Sequence, residues 1–480
     1  MSSEPSAPPH SVPLPVDFQG FPGIKRLAAE YVANFDALRP FFAGDPADDG
    51  AWRAAIAARA QLGGDPPAVG RIVRAQQRAR GAPGAAVDAA ARLDDRRSVA
   101  VVTGQQAGLF GGPLYTLLKA VSAIRLARRA ERVFGVPGVA VFWVDAEDHD
   151  LDEIRTCGVL DADQALATVA LETEAPAGTP AAGVRLGREI EPALDALAAA
   201  LPETDFTAEV LGGLRRAYAN GRGLVEAFAT WIEQLLGPHG LVVFDAADPA
   251  AKPLAADLFA REIASAGAST ALARDTGDRL REAGFHAQVD PPANGVALFL
   301  RNGGRLAIRT DGDRLRAGSD TMDRSAWLDR VRADASRFSP NVLLRPIVQD
   351  RLFPTVCYVA GPNELAYLAQ LKPVYGHFEV PMPLVAPRLS ATLVDPAVMK
   401  FLRRTGLALG TLQPRDESAL NRLLGAQLPP AVEQALEGAA GAVRERMAAV
   451  AGAVGPGAPP PPRAAELTRR AGGCATRPRP

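Results

Sequence analysis

The stretch SVAVVTGQQAGLFGG at residues 98–112 decides the fold class of this chain. It opens with an apolar run without polar alternation, typical of a strand buried on both faces, and ends in a glycine-rich polar loop. Three more runs have this form: VAVFWV before DAEDHD (139–150), LVVF before DAADP (241–249) and PTVCYVA before GPNE (354–364). Helix-forming sequence follows the first, third and fourth runs, so the pattern predicts a doubly wound α/β core with a parallel sheet.

The polar cluster after each run indicates where a ligand binds. In doubly wound sheets the ligand crevice lies beyond the carboxyl ends of the strands, and all four clusters fall on that side. The sequence therefore predicts a functional site at this edge of the sheet.

The spacing of the strands predicts insertions, because about ninety residues separate the second run from the third and the third from the fourth, too many for single crossovers. A β-meander is predicted at 285–317, where FHAQVD, GVALFLR, GGRLAIR and DGDRLRAG alternate. The predicted organisation is a disordered leader (1–20), an N-terminal helical region (21–95), the first half of the core (96–150), insertion 1 (151–236), a core strand and helix (237–265), insertion 2 with the meander (266–340), the second half of the core (341–396), a helical segment (397–454) and a disordered tail (455–480).

Composition narrows the possible partners. Lys+Arg 53 against Asp+Glu 54 gives a net charge of −1, which argues against nucleic acid. The three cysteines, Cys157, Cys357 and Cys474, form no CxxC pair, so a disulfide framework and a thiolate zinc site are not expected, and a reducing cytoplasm fits. No signal peptide or membrane-spanning run is apparent. Small molecules or proteins are the expected partners.

The loop after the first run has the features of an anion site. Glycines let backbone N–H groups approach a ligand, and the helix N-terminus opened by Pro113 suits a phosphate or carboxylate. The alternative to an anion site is a turn in which the glycines serve only tight packing. Lys119, taken alone, also fits the pattern of a solvated or salt-bridged lysine. Two adjacent carboxamides, Gln105 and Gln106, favour binding, because they serve little purpose in a packing turn.

The cluster DAEDHDLDE (145–153) places one imidazole among six acids. His149 could act as a general base beside these carboxylates, or the set could hold a divalent cation. An acidic surface loop is the remaining alternative, although its position after an interior strand argues against that.

The third cluster, around GPNE, is open between structure and function. Helix capping explains Asn363 and Glu364 as well as ligand binding does. Arg345 and Arg388 suit carboxylate or phosphate capture, but each fits a salt bridge equally. His377 is a further candidate.

Three ordered blocks resemble the cysteine-adding enzymes of bacillithiol biosynthesis: TGQQAGLFGGPLYTLLKAVSAIRLA (103–127), VFWVDAEDHDLDEI (141–154) and LLRPIVQDRLFPTVCYVAGPNELAYLAQLKPVYGHFEVPMPLVAPRLSATL (343–393). The resemblance implies a Rossmann-like core with connecting insertions and a C-terminal coiled coil that supports a homodimer. It also implies a ligase that joins the cysteine carboxylate to the amine of glucosaminyl malate. The core is similar to nucleotidylyltransferases and class I aminoacyl-tRNA synthetases, so ATP or another activating nucleotide is the expected cofactor.

Candidate roles follow from this resemblance together with the clusters. His149, oriented by Asp148 or Asp150, would deprotonate the attacking ammonium, and Arg345 and Arg388 would hold the malyl carboxylates. The catalytic set is Glu147, Asp148, His149 and Asp150. The substrate- or nucleotide-binding set is Thr103, Gly104, Gln105, Gln106, Gly108, Gly112, Lys119, Arg345, Asn363, Glu364, Tyr367, His377, Arg388 and Ser390. No metal ligand is assigned.

Other functions remain open at this point. The Glu147–Asp150 loop could serve a metal-dependent hydrolase or transferase. An adenylating enzyme similar to nucleotidylyltransferases is another possibility, and a non-catalytic sugar-acid-binding protein is the third.

The C-terminus departs from the family pattern. The helix predicted near 431–454 runs into GPGAPPPPR, where prolines remove backbone donors and few apolar residues remain to build a returning helix. Weaker dimerisation and proteolysis after Arg444 or Arg446, or within 463–479, are expected.

Overall fold

The computed structural model describes residues 16–454 except 20, 22, 63–65, 174, 177, 303, 413–416 and 426–428. The predicted disordered tail (455–480) lies outside the described residues. So does the predicted leader (1–20), apart from residues 16–19. The described residues form two compact units, one within 16–19 and 23–391 and the other within 392–454.

The strands are β1 (Val99–Gln105), β2 (Gly138–Val144), β3 (Thr156–Leu160), β4 (Leu166–Ala170), β5 (Leu241–Asp245), β6 (Gly295–Arg301), β7 (Arg305–Asp311), β8 (Arg314–Ala317), β9 (Asp320–Asp323), β10 (Phe338–Pro340), β11 (Thr355–Ala360) and β12 (Leu384–Pro387).

The helices of the first unit are α1 (Arg26–Ala33), α2 (Asp49–Gln61), α3 (Pro66–Arg80), α4 (Gly84–Ala91), α5 (Tyr115–Phe134), α6 (Leu151–Ile154), α7 (Ile190–Ala200), α8 (Thr207–Ala217), α9 (Leu224–Leu236), α10 (Ala256–Ala264), α11 (Ala268–Glu282), α12 (Arg324–Ala333), α13 (Arg345–Leu352), α14 (Pro362–Leu368) and α15 (Lys372–Phe378).

A five-stranded parallel sheet in the order β12–β11–β1–β2–β5 forms the centre of the first unit. Helices flank it, which confirms the predicted α/β class. The four predicted strands are β1, β2, β5 and β11. The sequence did not predict β12, because its short apolar run LVA lies among Pro381, Pro383 and Pro387; it is an edge strand, where proline is tolerated.

The two faces of the sheet bury alternate residues in two separate cores. Val99 and Val101 pack in one core with Phe142, whereas Ala100 and Val102 pack in the other. This burial on both faces explains why β1 and β2 are apolar without alternation.

The second insertion contains an antiparallel sheet in the order β10–β6–β7–β8–β9. The prediction that FHAQVD (285–290) begins the meander was wrong, since the first strand begins at Gly295. The backbone N–H groups of Gln288 and Val289 instead donate to Oε1 of Gln370 at 3.0 and 2.9 Å. Side-chain capture of these donors replaces strand pairing.

A buried carboxyl joins α10 to the meander and gives the fold a pH dependence. Glu262 is fully buried and accepts hydrogen bonds from Ser269 Oγ at 2.5 Å and from the Ala297 backbone N–H at 2.7 Å. Burial raises the pKa of Glu262 to about 6, although these hydrogen bonds oppose the rise. The folded state therefore holds more protons than the unfolded chain between about pH 4 and 6, and stability falls as the pH rises through that window.

Glu262→Gln is expected to lose this pH dependence, because glutamine carries no charge and can accept from Ala297 while donating to Ser269. Its free energy of unfolding relative to wild type should rise by about 1–2 kcal/mol between about pH 4 and 7. Urea unfolding across this pH range measures the difference, with the exposed Glu209→Gln on α8 as control. Parallel pH curves for wild type and Glu262→Gln would contradict the expectation.

The second unit contains α16 (Pro396–Thr405), α17 (Ser418–Gly425) and α18 (Pro430–Val454). Along α18 the side chains of Val432, Leu436, Val443 and Val450 are exposed. The homodimer implied by the resemblance stays a prediction. Among the described residues, no helix is both long and apolar enough to cross a membrane.

Candidate active site

A cavity of about 700 Å³ lies at the carboxyl ends of the central strands. Residues that follow β1, β2, β11 and β12 line it, on the side where the sequence predicted a ligand site. The lining predicted from sequence comprises Gly104, Gln105, Gln106, Lys119, Asp148, Arg345, Asn363, Glu364, Tyr367 and Arg388. The structure adds Tyr115, Trp143, Asp145, Val289, Pro291, Pro292, Phe299, Arg305, Pro340, Asn341, Val342, Leu343, Tyr358, Gly361 and Pro362.

The cavity has two chemically different walls. The core contributes most of its charged and amide side chains, whereas residues 289–343 contribute an apolar surface that includes Pro291, Phe299 and Val342. Arg305 is the charged residue on that second wall. A ligand here meets polar groups on one side and a largely apolar surface on the other.

Lys119 is buried at the base of the cavity. From α5 its Nζ reaches back to the end of β1, donating to the Gly104 carbonyl and to Gln105 Oε1 at 3.2 Å, and it lies 2.7 Å from Glu364 Oε2. Burial lowers the pKa of Lys119, and Glu364 opposes the shift. Lys119 therefore neutralises a carboxylate of the protein itself.

Glu364 is the partner of this lysine and a helix cap. Its Oε2 accepts from the Gly361 N–H and its Oε1 from the Tyr358 hydroxyl, both at 2.7 Å. Gly361 is thus the N-cap of α14, and the expectation that Asn363 is the N-cap was wrong; Asn363 is the second helical residue and its side chain is exposed. The capping function accounts for Glu364.

Gln106 holds the acidic loop against β1. Its Nε2 donates to Asp148 Oδ2 at 2.6 Å and to Glu153 Oε2 at 2.9 Å. Asp148 Oδ1 accepts from the backbone N–H groups of His149 and Asp150 at 2.7 and 3.3 Å. The His149 ring is 47% exposed, its Nδ1 is 3.8 Å from Asp148 Oδ1, and it does not line the cavity. This geometry gives no support to His149 as a base.

Glu147 and Asp150, the other two acids of the predicted catalytic set, have structural partners. Glu147 Oε2 lies 2.7 Å from Nζ of the buried Lys252, and Asp150 Oδ1 accepts from the Glu153 N–H at 3.4 Å as the N-cap of α6. Among the described residues, no group of three or more His, Cys, Asp or Glu side chains is arranged to hold a metal ion. The metal-site alternative therefore has no support from this loop.

Thr103, Gly108 and Gly112 lie outside the cavity lining. Thr103 Oγ1 donates to the Val359 carbonyl at 2.9 Å within the sheet. A Cβ on Gly108 would lie 2.8 Å from Cα of Gly112, whose φ of +71° favours glycine. Tight packing explains both glycines.

His377 and Ser390 are also outside the lining. His377 Nε2 lies 2.9 Å from the Oγ of Ser265, which follows α10. Burial lowers the pKa of His377, and the charge of Arg261 lowers it further. Ser390 Oγ accepts from an Arg388 guanidinium N–H at 3.1 Å, so it orients a residue that does line the cavity.

Arg345 is already bonded within the protein. Its guanidinium donates to the Tyr367 hydroxyl at 2.8 Å and to Gln349 Oε1 at 3.3 Å, and its Nε lies 3.9 Å from Asp145 Oδ2. These contacts fix Tyr367 and Arg345 in the wall.

Arg388 and Arg305 are the cavity cations whose charge is not neutralised. Neither has a carboxylate within 4 Å among the residues that the structure describes. The Arg388 guanidinium lies 5.2 Å from the Tyr115 ring centre, and that of Arg305 lies 4.1 Å from the Phe299 ring centre. The two arginines lie on opposite walls, and guanidinium groups suit carboxylates and phosphates.

The sequence did not predict Arg305 and Asp145 as site residues. Arg305 sits in a meander strand without a motif, so only the packing of the insertion on the core reveals it. Asp145 had a usable signal, because it is the first residue beyond β2 and such positions face the crevice.

Comparison with known proteins agrees with this architecture. The family model described as "Bacillithiol biosynthesis BshC, N-terminal Rossmann-like domain" matches residues 15–389. The first unit of the chain is thus a Rossmann-like domain of the kind found in bacillithiol biosynthesis proteins. The chain belongs to the BshC family.

Several relatives carry the name "Putative cysteine ligase BshC". The protein of Salinibacter ruber is 38% identical over 388 residues, covering 80% of this chain and 70% of the relative. That of Koribacter versatilis is 33% identical over 430 residues, covering 89% and 79%. That of Heliobacterium modesticaldum is 37% identical over 354 residues, covering 72% and 64%.

Proposed function

We propose that this chain is a cysteine ligase that joins the carboxylate of cysteine to the amine of glucosaminyl malate. Its family and the names of its relatives support an amide-forming ligase. The observation that carries the substrate assignment is the unneutralised pair Arg388 and Arg305 across one cavity. We place the reaction in the cytoplasm, as the cysteine usage predicts.

Glucosaminyl malate combines two carboxylates with an amino sugar, and the cavity offers complementary charges. Arginine binds carboxylates through paired N–H groups. Arg388 and Arg305 hold the malyl carboxylates in this proposal. Arg345 keeps the wall in place instead, because it is bonded to Tyr367 and Gln349 and lies beside the Asp145 carboxylate. Arg305 thereby replaces Arg345 in the role expected from sequence.

A carboxylate is a poor electrophile, so the cysteine carboxylate needs activation, for which ATP or another activating nucleotide is expected. The glycine loop does not fit a phosphate. The Gly108 and Gly112 N–H groups donate to the carbonyls of Gln106 and Leu109, and the Gly111 N–H donates to the Gly108 carbonyl and Tyr218 hydroxyl. These three N–H groups are therefore not available to a phosphate.

Arg388→Met and Arg305→Met are each expected to weaken binding of glucosaminyl malate by about 10- to 100-fold, because a charged hydrogen-bond partner is lost. Isothermal titration calorimetry measures the affinity. Arg314→Met on the neighbouring strand β8 is the matched control, since this arginine is about half exposed and pairs with Asp323. Unchanged affinity in both cavity variants would refute the anion site.

The reaction itself is tested in cells. A deletion strain should lose the cysteine-containing thiol and accumulate glucosaminyl malate, as measured by mass spectrometry of the thiol pool. An unaltered thiol pool would overturn the proposed function.

A further inference from the structure

We propose that Asp145 binds the primary ammonium group of the acceptor substrate and takes one proton from it. This inference rests on the proposed function and assigns the amine end of the same cavity. It moves the role of base from His149 to a residue that lines the cavity.

Asp145 is the cavity carboxylate whose hydrogen-bonding capacity is unused. Among the residues that the structure describes, three carboxylates line the cavity: Asp145, Asp148 and Glu364. Glu364 is bonded by Lys119 and two further donors, and Asp148 by Gln106 and two backbone N–H groups. No described residue donates a hydrogen bond to the Asp145 side chain, so its oxygens can accept from a ligand.

The backbone holds Asp145 in a defined position. It directly follows β2, and its N–H donates to the carbonyl of Gln105 on β1 at 2.9 Å. Its side chain is 32% exposed, and Arg345 Nε, the nearest cation, stays 3.9 Å away. Because Tyr367 and Gln349 engage the other nitrogens of Arg345, this arginine is not free to close the gap.

The surroundings of Asp145 make it a stronger base than an exposed aspartate. Burial raises its pKa, Asp148 and Glu147 raise it further, and Arg345 and Arg305 oppose the rise. A carboxylate with a raised pKa is better matched to accepting a proton from an amine.

The proton transfer balances without a further reactant. An N–H bond of the ammonium breaks, its electron pair stays on nitrogen, and an O–H bond forms on the Asp145 carboxylate. The pair of opposite charges becomes a neutral amine and a neutral acid, and the amine can then attack a carbonyl carbon.

The same cavity therefore binds both the carboxylates and the ammonium group of glucosaminyl malate. Arg388 and Arg305 take its carboxylates, and Asp145 takes its ammonium. Cysteine also carries a primary ammonium, so the two substrates offer the same chemistry, and the experiment has an arm for each.

Calorimetry with an amine ligand and its neutral analogue isolates the role of Asp145. Asp145→Asn should weaken binding of glucosaminyl malate by about 10- to 100-fold and leave binding of N-acetylglucosaminyl malate unchanged. Asp152→Asn is the matched control, because Asp152 is 86% exposed on α6. It should preserve both affinities.

A second arm compares cysteine with 3-mercaptopropionate, which lacks the ammonium. Asp145→Asn should leave both affinities unchanged. A loss confined to cysteine would show that Asp145 holds the other substrate and would overturn the assignment to the acceptor.

Product formation tests the proton transfer. At saturating substrate, Asp145→Asn should form amide about 10²- to 10⁴-fold more slowly, and Asp145→Glu should recover part of the rate. A rate within a few-fold of wild type would refute the role of base. If wild type binds neither sugar acid, the proposed function fails; if wild type binds glucosaminyl malate and Asp145→Asn keeps the preference for the amine, this inference alone fails.

Discussion

Lys119→Met is expected to lower the free energy of unfolding by about 3 kcal/mol, because it leaves the Glu364 carboxylate without its charged partner. Lys119 is 1% exposed and joins α5, β1 and α14 through one nitrogen. Glu364 is 21% exposed, so water partly compensates its charge. The expected loss of unfolding free energy therefore falls at the lower end of the range for broken buried ion pairs.

Two variants make the Lys119 measurement specific. Lys400→Met on α16 removes an exposed lysine and should be nearly neutral in urea unfolding. Lys119→Met combined with Glu364→Gln should regain part of the lost stability, because glutamine retains an acceptor for the α14 cap without an unpaired charge. A loss below about 1 kcal/mol in the single variant would place this pair among the weak surface ion pairs.

Gly138→Ala should be equally severe, because the first residue of β2 leaves no room for a side chain. A Cβ at this position would lie 2.2 Å from the carbonyl oxygen of Ala127 on α5. The obstacle is backbone, so no rotamer change relieves it, and the helix has to move off the sheet. We expect a loss of about 3 kcal/mol in unfolding free energy, the upper end for an overpacked core.

Gly376→Ala provides the opposite result in the same assay. Gly376 lies within α15 with no heavy atom near the added Cβ, so alanine should stabilise by about 0.5–1 kcal/mol through helix propensity. If Gly138→Ala were insoluble while Gly376→Ala stayed soluble, the clash at residue 138 would be confirmed, with a larger loss of stability than expected. Equal stability of the two variants would show that α5 shifts freely.

The parallel sheet could be predicted from the sequence, because strands that are buried on both faces consist of unbroken apolar runs. Val99, Val101 and Phe142 belong to unbroken apolar runs, and the direction of parallel strands then places every following loop on one edge. The prolines beside β12 hid the remaining strand, since proline usually argues against a strand.

The details of the site depended on loop paths and long-range packing. Asp145, Glu147 and His149 lie within five consecutive residues. Yet the Asp145 carboxylate is free in the cavity, that of Glu147 is buried against Lys252, and the imidazole is half-exposed. Local sequence does not encode which way each side chain turns. Arg305 reaches the cavity through the fold of the insertion, which no local motif predicts.

The order of strands in the sheet also governs when the cavity can exist during synthesis. β1 lies between β2 and β11, and its residue Ala100 pairs with Thr355, far along the chain. A nascent chain that has passed β2 therefore carries β1 with one unpaired edge until β11 leaves the ribosome. Such non-local pairing slows folding and exposes the chain to aggregation. Because Arg388 follows β12, a ligand bound to it can stabilise this protein only after nearly the whole first unit has emerged.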